Sequence, residues 1–590
     1  MKRAREHGCR QPELGLVRDR ERLVERPETH QRRNRPEGLL LSDPHLARDP
    51  VDDRRLVELP VVTAAMHDLR AALDSVIDVR LRSGENGRRA HRAHVGRLVE
   101  RIADAQRLRP LEQGGWVNAS DYPGDKPEWE LAAAKQWHHD PNVRRLPADY
   151  PCEVSGADVA PLMFSAVGGS TIHYGGHWVR LLPSDFRART LDGVADDWPL
   201  DYEELRPYYE RAEADFAVAG IAGDPAYPPA AGPPLPPHPI GKAGRKAAQG
   251  MNRLGWHWWP APQAIASRDY GNLRQCARYG TCESGCPHGA KASVDLTHWP
   301  IAIAHGARVV TGARVRLITT DGRGRATGAI WIDRDGAEHL EQADVVVLAA
   351  NGVGTPRLLL LSASGAHPDG LGNSSGLVGK RLMLHPCASV VGVYEEQLES
   401  WLGPAGQLIQ SMQFYESDGD RGFVRGGKWD LMPSGGPLRM VQLAGGRTGS
   451  DLQRFLQDTL GHAVEWGTIA EDLPDEANTV TLDAVITDSD GIPAPRITYR
   501  IAENTQRLID FHLERMREAH EAAGAVRTVD LPLLDDQPGH LMGTARLGRD
   551  PASSVVEPNG RTHDVPNLYV IDGSVFVLSL IHISEPTRRS

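Results

Sequence analysis

The chain has 590 residues, a formal net charge of -11 and six cysteines, with a sequence pI near 6.1. That length supports two domains, or one large domain with a substrate module, each burying its own core. The acidic balance offers no basic surface to a phosphate backbone and argues against a nucleic-acid partner; no apolar run approaches the ~20 residues needed to cross a bilayer, and the cysteines are too few for a disulfide scaffold.

Residues 1–108 yield no element. The first 110 residues contain no aromatic side chain, so all 8 Phe, 13 Trp and 13 Tyr lie beyond them, and the same stretch holds 23 Arg against a single Lys. No hydrophobic period is sustained. A disordered basic tail is one reading, but Leu and Val are too frequent for it; the stretch reads instead as GC-rich DNA translated in a wrong frame. Sensible protein begins near Leu111.

Glu112 follows the expected end of a strand, where a dinucleotide-binding unit places an acid to accept hydrogen bonds from ribose hydroxyls. The glycine fingerprint expected about 20 residues earlier is missing, since Gly84, Gly87 and Gly96 have the wrong spacing. Next come Gly168, Gly169, Ser170 and Thr171 within Val167–Gly176, followed by Arg180, Pro183, Asp185–Phe186 and Asp197–Trp198–Pro199. Paired glycines let a backbone approach a ring or a pyrophosphate, and the hydroxyls add donors; the plain alternative is a Gly-rich turn.

Cys276, Cys282 and Cys286 fall within eleven residues, the last followed by Pro287. Three readings stand open: a zinc site short of a fourth ligand unless His288 supplies one, a disulfide with one spare thiol, and an iron-sulfur cluster. Cys9, Cys152 and Cys387 are isolated and read as inert. Alternating strands are expected over 313–318 and 329–332, with Val315 most simply a core residue, and a buried parallel strand over 344–350. That strand runs into a helix from Asn351 in which Pro356 suits the first turn. His385, before Pro386, reads as structural. His540 stands in Gly-His-Leu-Met-Gly-Thr-Ala-Arg-Leu-Gly, ahead of a strand and turn over 567–576 containing Asp572 and Gly573. Histidine has a pKa suited to taking a hydroxyl proton near neutrality. From Val577 the chain reads as an adapter-derived tail.

Taken together, the 167–199 segment, the strand and helix over 344–362, Asn373–Pro386, and the pattern from Gly539 to Phe576 resemble the glucose-methanol-choline family of flavin-dependent oxidoreductases. The resemblance covers most of residues 111–576. It implies an α/β fold: a Rossmann-like FAD-binding domain from residues 109–190, 296–386 and 537–576, interleaved with an α+β substrate domain from 191–295 and 387–536. The first FAD-binding βα unit is expected to be replaced by residues 1–108. Asp472–Leu473–Pro474, Asn478–Leu482 and Gly491–Pro493 are similar to the family's substrate-domain sheet edge.

The resemblance further implies that Glu112, Gly168, Gly169, Ser170, Thr171, Asp572 and Gly573 contact FAD, that the Val315 backbone reads adenine, and that His540 is the catalytic base. The family's second catalytic His or Asn is expected after Phe576, where adapter-like residues stand. Tyr174 occupies a position where many members carry Asn. The cysteine pattern is similar to bacterial sugar dehydrogenases whose three cysteines hold a 3Fe-4S cluster. The expected reaction is oxidation of a CH–OH group of a sugar, sugar acid or polyol, with electrons passed to a non-oxygen acceptor. A small export subunit and a cytochrome c subunit are expected partners, with a bacterial periplasmic or membrane-associated location through them, and a cytoplasmic one otherwise. The rivals are an alcohol or choline-type oxidase using oxygen, and an inactive fragment.

Overall fold

The computed structural model describes residues 108–405, 407–534 and 539–579, all of which belong to one packing unit. The segment expected to replace the first βα unit, up to residue 107, and the tail from residue 580 lie outside the described residues. Among those described, no helix is long and apolar enough to cross a membrane.

The largest sheet has six antiparallel strands in the order Arg527–Leu531, Cys387–Val393, Ala463–Ala470, Gly427–Pro433, Ile409–Ser411 and Trp259–Pro260. Strand alternation divides its two faces. Trp429, Leu431, Val464, Trp466 and Val390 point to one side and pack on helices Gly241–Leu254 and Glu503–Ala523. The helices cross closely because Gly250 has no side chain: a Cβ there would lie 2.5 Å from the Ala519 carbonyl oxygen. The opposite sheet face, with Lys428, Asp430, Met432, Gly467 and Ile469, lines a cavity.

Two short parallel pairs hold the segments of Glu112 and Asp572: Leu111–Glu112 beside Val310–Thr311, and Val346–Leu348 beside Leu568–Val570. The strand expected to be buried over 344–350 is shorter and less covered than its apolar run suggests; Val347 is 44% exposed, and Ala349 and Ala350 are exposed as well. The strands expected over 313–318 and 329–332 are Arg314–Thr320 and Ala326–Ile332, and they form an antiparallel meander with a third strand, Glu338–Gln342, that was not expected. Thr479–Thr487 and Pro493–Tyr499 do not join the six-stranded sheet. They pair with each other, Pro493–Tyr499 also pairs with Glu153–Ala157, and both pack against helix Asn351–Leu361.

Pro356 is not in that helix's first turn but at its sixth residue. A mid-helix proline frees the carbonyl four residues earlier, and here Gly352 O accepts a hydrogen bond from Thr544 Oγ1 at 2.7 Å. The proline is thereby tolerated, and the His540 segment is fastened to the helix. Arg425, 1% exposed, is ringed by Asp185, Asp192 and Glu471. It joins the segment after the glycine pair to the six-stranded sheet. A second buried cation, Lys291, donates to the carbonyls of Ile172, Tyr174 and Cys282 at 2.7, 2.7 and 2.6 Å.

Two predictions follow from these buried groups. Lys291→Met leaves three buried carbonyls without their donor, each at a cost of about 1–3 kcal/mol; a fall in Tm is expected, and an unchanged Tm would show that the staple is dispensable. His512 and His520 lie on the buried face of helix Glu503–Ala523, where burial pushes their pKa values down to about 3 and about 4. Unfolded, each titrates near ~6.5, so their contribution to stability is complete above that pH and is lost as pH falls towards the folded values. At pH 5 the loss is about 2 kcal/mol per histidine. Thermal melts between pH 7 and 5 should show it, and a double His512→Gln, His520→Gln variant should flatten that slope.

Candidate active site

The cavity on the polar face of the six-stranded sheet holds about 130 Å³, and its wall includes Ser170, His173, Cys387 and His540. His540 is half-buried. Its Nδ1 stands 2.8 Å from Nδ1 of His385, with the rings edge to face and 5.0 Å between centroids. A hydrogen bond between two Nδ1 atoms needs one to carry hydrogen and the other a lone pair, which ties the tautomers of the two rings together.

His385 was read from the sequence as structural; it is fully buried and reaches the cavity histidine. It adopts φ +54°, and its neighbours hold that turn. Asp472 accepts hydrogen bonds from Leu384 N at 2.8 Å and Tyr499 OH at 2.7 Å. Burial raises the Asp472 carboxyl to about 6 against those donors. Ser579, within the stretch read as tail, is completely buried and hydrogen-bonds Glu471 and, at 2.8 Å, the Asp472 backbone N–H. Cys387, read as inert, stands in the cavity wall two residues beyond His385.

Glu112 accepts from Gly114 N at 2.7 Å. Burial pushes its carboxyl up to about 7 while that N–H opposes the shift. Its backbone oxygen accepts from Ala313 N at 2.9 Å, and Gly114 O from Gly312 N at 3.0 Å, which brings Val315 within two residues of this contact. Gly115 bridges Ala166, so Glu112, Val315 and the glycine pair converge. Gly168 has φ +105°, and a Cβ there would lie 2.8 Å from Asp295 Oδ1. Ser170 lines the cavity, whereas the Thr171 hydroxyl is engaged within the protein, by Gly168 O and by Val294 N at 3.1 Å.

Asp572 likewise turns inward. One oxygen takes Ser574 N and Oγ at 2.9 and 2.6 Å, the other Asn351 N and Thr355 Oγ1 at 3.1 and 2.5 Å. It clamps the helix start to the Gly573–Val575 turn, where a Cβ on Gly573 would lie 2.6 Å from Leu541 O.

His173 was not singled out in the sequence. It is buried, neither ring nitrogen has a hydrogen-bond partner, and burial holds its pKa well below the usual histidine value, so the ring is neutral. Its place four residues after the second glycine was the available signal. On the sheet face, Lys428 bonds Asp430 and, at 2.9 Å, Gln407 Oε1. Burial alone would raise the Asp430 carboxyl, but Lys428 and His177 hold it down at about 2.

The three clustered cysteines border one further cavity together with His288 and Lys291. Arg278 N, Ala290 N and Ala405 N point at the sulfurs of Cys276, Cys286 and Cys282 at 3.3, 3.3 and 3.5 Å. No disulfide joins any described cysteine. Among the described residues, no three His, Cys, Asp or Glu side chains are grouped to hold a metal ion, so their arrangement supports neither the zinc nor the iron-sulfur reading.

Profiles described as GMC oxidoreductase match residues 158–387 and 474–582. The chain is 44% identical over 495 residues to 2-methyl-1,2-propanediol dehydrogenase of Mycolicibacterium austroafricanum, covering 81% of this chain and 88% of that protein. It is 31% identical to the fructose dehydrogenase large subunit of Gluconobacter japonicus, covering 71% and 77%. A solved structure of Aspergillus oryzae RIB40 formate oxidase shares the fold with a TM-score of 0.54 at 16% identity, covering 83% of this chain and 93% of that one. The chain belongs to the GMC oxidoreductase family and is a flavoprotein oxidoreductase acting on CH–OH donors.

Proposed function

We propose that this protein is an FAD-dependent dehydrogenase of a small polyol, sugar or related alcohol, with His540 as the base. The observation that carries the reading is the His540–His385 hydrogen bond at the wall of the cavity that Ser170 also lines. FAD supplies the hydride acceptor. The residues fit such a group: Glu112 is a half-buried acid at a strand end, suited to ribose hydroxyls, and the orphaned ring of His173 faces the same cavity as Ser170. Gly168, Gly169, Ser170 and Thr171 form the close-approach loop, the Val315 backbone lies beside Glu112 for adenine, and Asp572–Gly573 forms the turn for the pyrophosphate and ribityl chain.

As the substrate's carbinol hydrogen leaves, its hydroxyl proton must go to a base. His540, whose Nδ1 is engaged by His385, takes it at Nε2. His385 is a positioning residue: by fixing the Nδ1 partner it fixes both the ring plane and the tautomer. The identity with the 2-methyl-1,2-propanediol enzyme supports a small diol among the candidate substrates.

Cys276, Cys282 and Cys286 are proposed to hold an iron-sulfur cluster. What supports the reading is that the three sulfurs border one cavity and each is approached by a backbone N–H, since hydrogen bonds to the sulfurs tune such clusters. Without metal, burial pushes the Cys282 thiol up to about 12. A non-oxygen acceptor, reached through partner subunits, follows from this reading, and the naming of the fructose relative as a large subunit supports it.

His540→Ala should lower the rate of flavin reduction by about 10²–10⁴-fold while flavin absorbance is retained; a rate within twofold of the parent would remove His540 from the chemistry. His385→Asn should cost about tenfold and displace the pH profile of kcat, a displacement that a purely structural residue would not produce. For the cluster, purified protein should contain iron and give an EPR signal, both lost in Cys282→Ser with flavin retained. Iron-free parent protein with intact flavin would rule it out.

A further inference from the structure

The polar end of the active-site cavity carries an arrangement that proton abstraction does not use. On strand Gly427–Pro433, Lys428 and Asp430 both point to the cavity although they are only 1% and 2% exposed. Two ammonium protons of Lys428 are engaged, by Asp430 and by Gln407 Oε1. An ammonium has three. Asp430 Oδ1 takes the lysine, but Oδ2 is buried without a hydrogen-bond partner; His177 Nδ1 faces it at 3.4 Å without making an aligned bond. A buried carboxylate oxygen left in this state is costly unless something else donates to it.

The Lys428 and Asp430 side chains share this cavity wall with His540. On the same sheet face Lys428 lies opposite Ile469, and Ile469 opposite Cys387, two residues after His385, while the Met432 methyl packs over Gly467. Charge narrows the class. Lys428 is the lysine of this cavity wall and is already neutralised by Asp430 within hydrogen-bond distance. A carboxylate substrate would find no uncompensated lysine or arginine there.

From this arrangement, and resting on the assignment of the cavity as the active site, we infer that Lys428 and Asp430 form a subsite for a second, unreacting hydroxyl of a neutral diol or polyol. That hydroxyl donates to Asp430 Oδ2 and accepts the remaining Lys428 proton. The carbinol to be oxidised is thereby held at the His540 end.

The test compares matched alcohols. The parent protein should favour 1,2-propanediol over 1-propanol in kcat/KM, and Asp430→Asn should reduce that ratio at least tenfold. A general folding defect would lower both rates and leave the ratio unchanged. Pinacol, whose carbinols carry no hydrogen, provides a readout without turnover: it should inhibit the parent competitively at least tenfold more strongly than tert-butanol. This second measurement needs no variant to fold. Equal inhibition by pinacol and tert-butanol, or an unaltered ratio in an active Asp430→Asn protein, overturns the subsite alone. If the parent oxidises neither alcohol nor any sugar, the functional reading fails and the subsite with it.

Discussion

The ammonium of Lys291 is the point on which the site's geometry depends. Its three donors meet three backbone carbonyls, two from the segment after the glycine pair and one from the cysteine loop. Removing a charge from water is expensive, and such a cation is retained only where every proton is used. Here all three are. Because the partners are backbone atoms, the lysine fixes chain paths and not merely side chains. The next residue after Cys282, Glu283, enters the wall of the cavity that His540 lines, where His139 Nε2 holds its carbonyl at 2.8 Å. The cysteine loop and the segment after the glycine pair are therefore set against each other by one side chain, and the two cavities they border lie about one residue of backbone apart.

A second constraint is the division of the six-stranded sheet into a dry face and a polar one. Trp429 and Leu431 belong to the helix-backed core, while Lys428 and Asp430, their immediate neighbours, belong to the cavity. Period-two alternation makes this division possible. A one-residue slip in register would bury a lysine among tryptophans and turn an indole into the substrate space. The Arg425 cluster, located where that strand begins, guards the register by binding Asp185 and Asp192 from the flavin side and Glu471 from the neighbouring strand's end.

Much of this organisation was legible in the sequence because it is carried by motifs with local physical meaning. The glycine pair, the clustered cysteines, the strand and helix around Asn351 and the segment around His540 announce themselves through spacing, and the structure brings Glu112, Val315 and the glycine pair together as a set. What escaped depends on long-range packing. His385 sits before a proline, a setting that reads as a turn; only the approach of a segment 155 residues away gives it a role. Lys428 and Asp430 alternate with apolar residues as on any half-exposed strand, so their burial cannot be read from pattern. Pro356 looked like a helix start because nothing local reveals that Thr544 will receive the carbonyl it frees. The short, partly exposed strand Val346–Leu348 shows the converse error, in which an apolar run was taken as proof of burial.

The state of the Lys428–Asp430 pair bears on substrate choice. Asp430 Oδ1 is taken by the lysine, whereas the buried Oδ2 meets only His177 Nδ1 at 3.4 Å, without an aligned hydrogen bond. A self-satisfied pair would need nothing from a ligand, and an unpaired charge would demand a counter-ion. Partial satisfaction selects a neutral partner able both to donate and to accept, which is the definition of a hydroxyl group. Set in the same cavity wall as His540, the ion pair discriminates between molecules with one hydroxyl and molecules with several, because a lone alcohol bound at His540 leaves the buried Asp430 oxygen without an aligned donor.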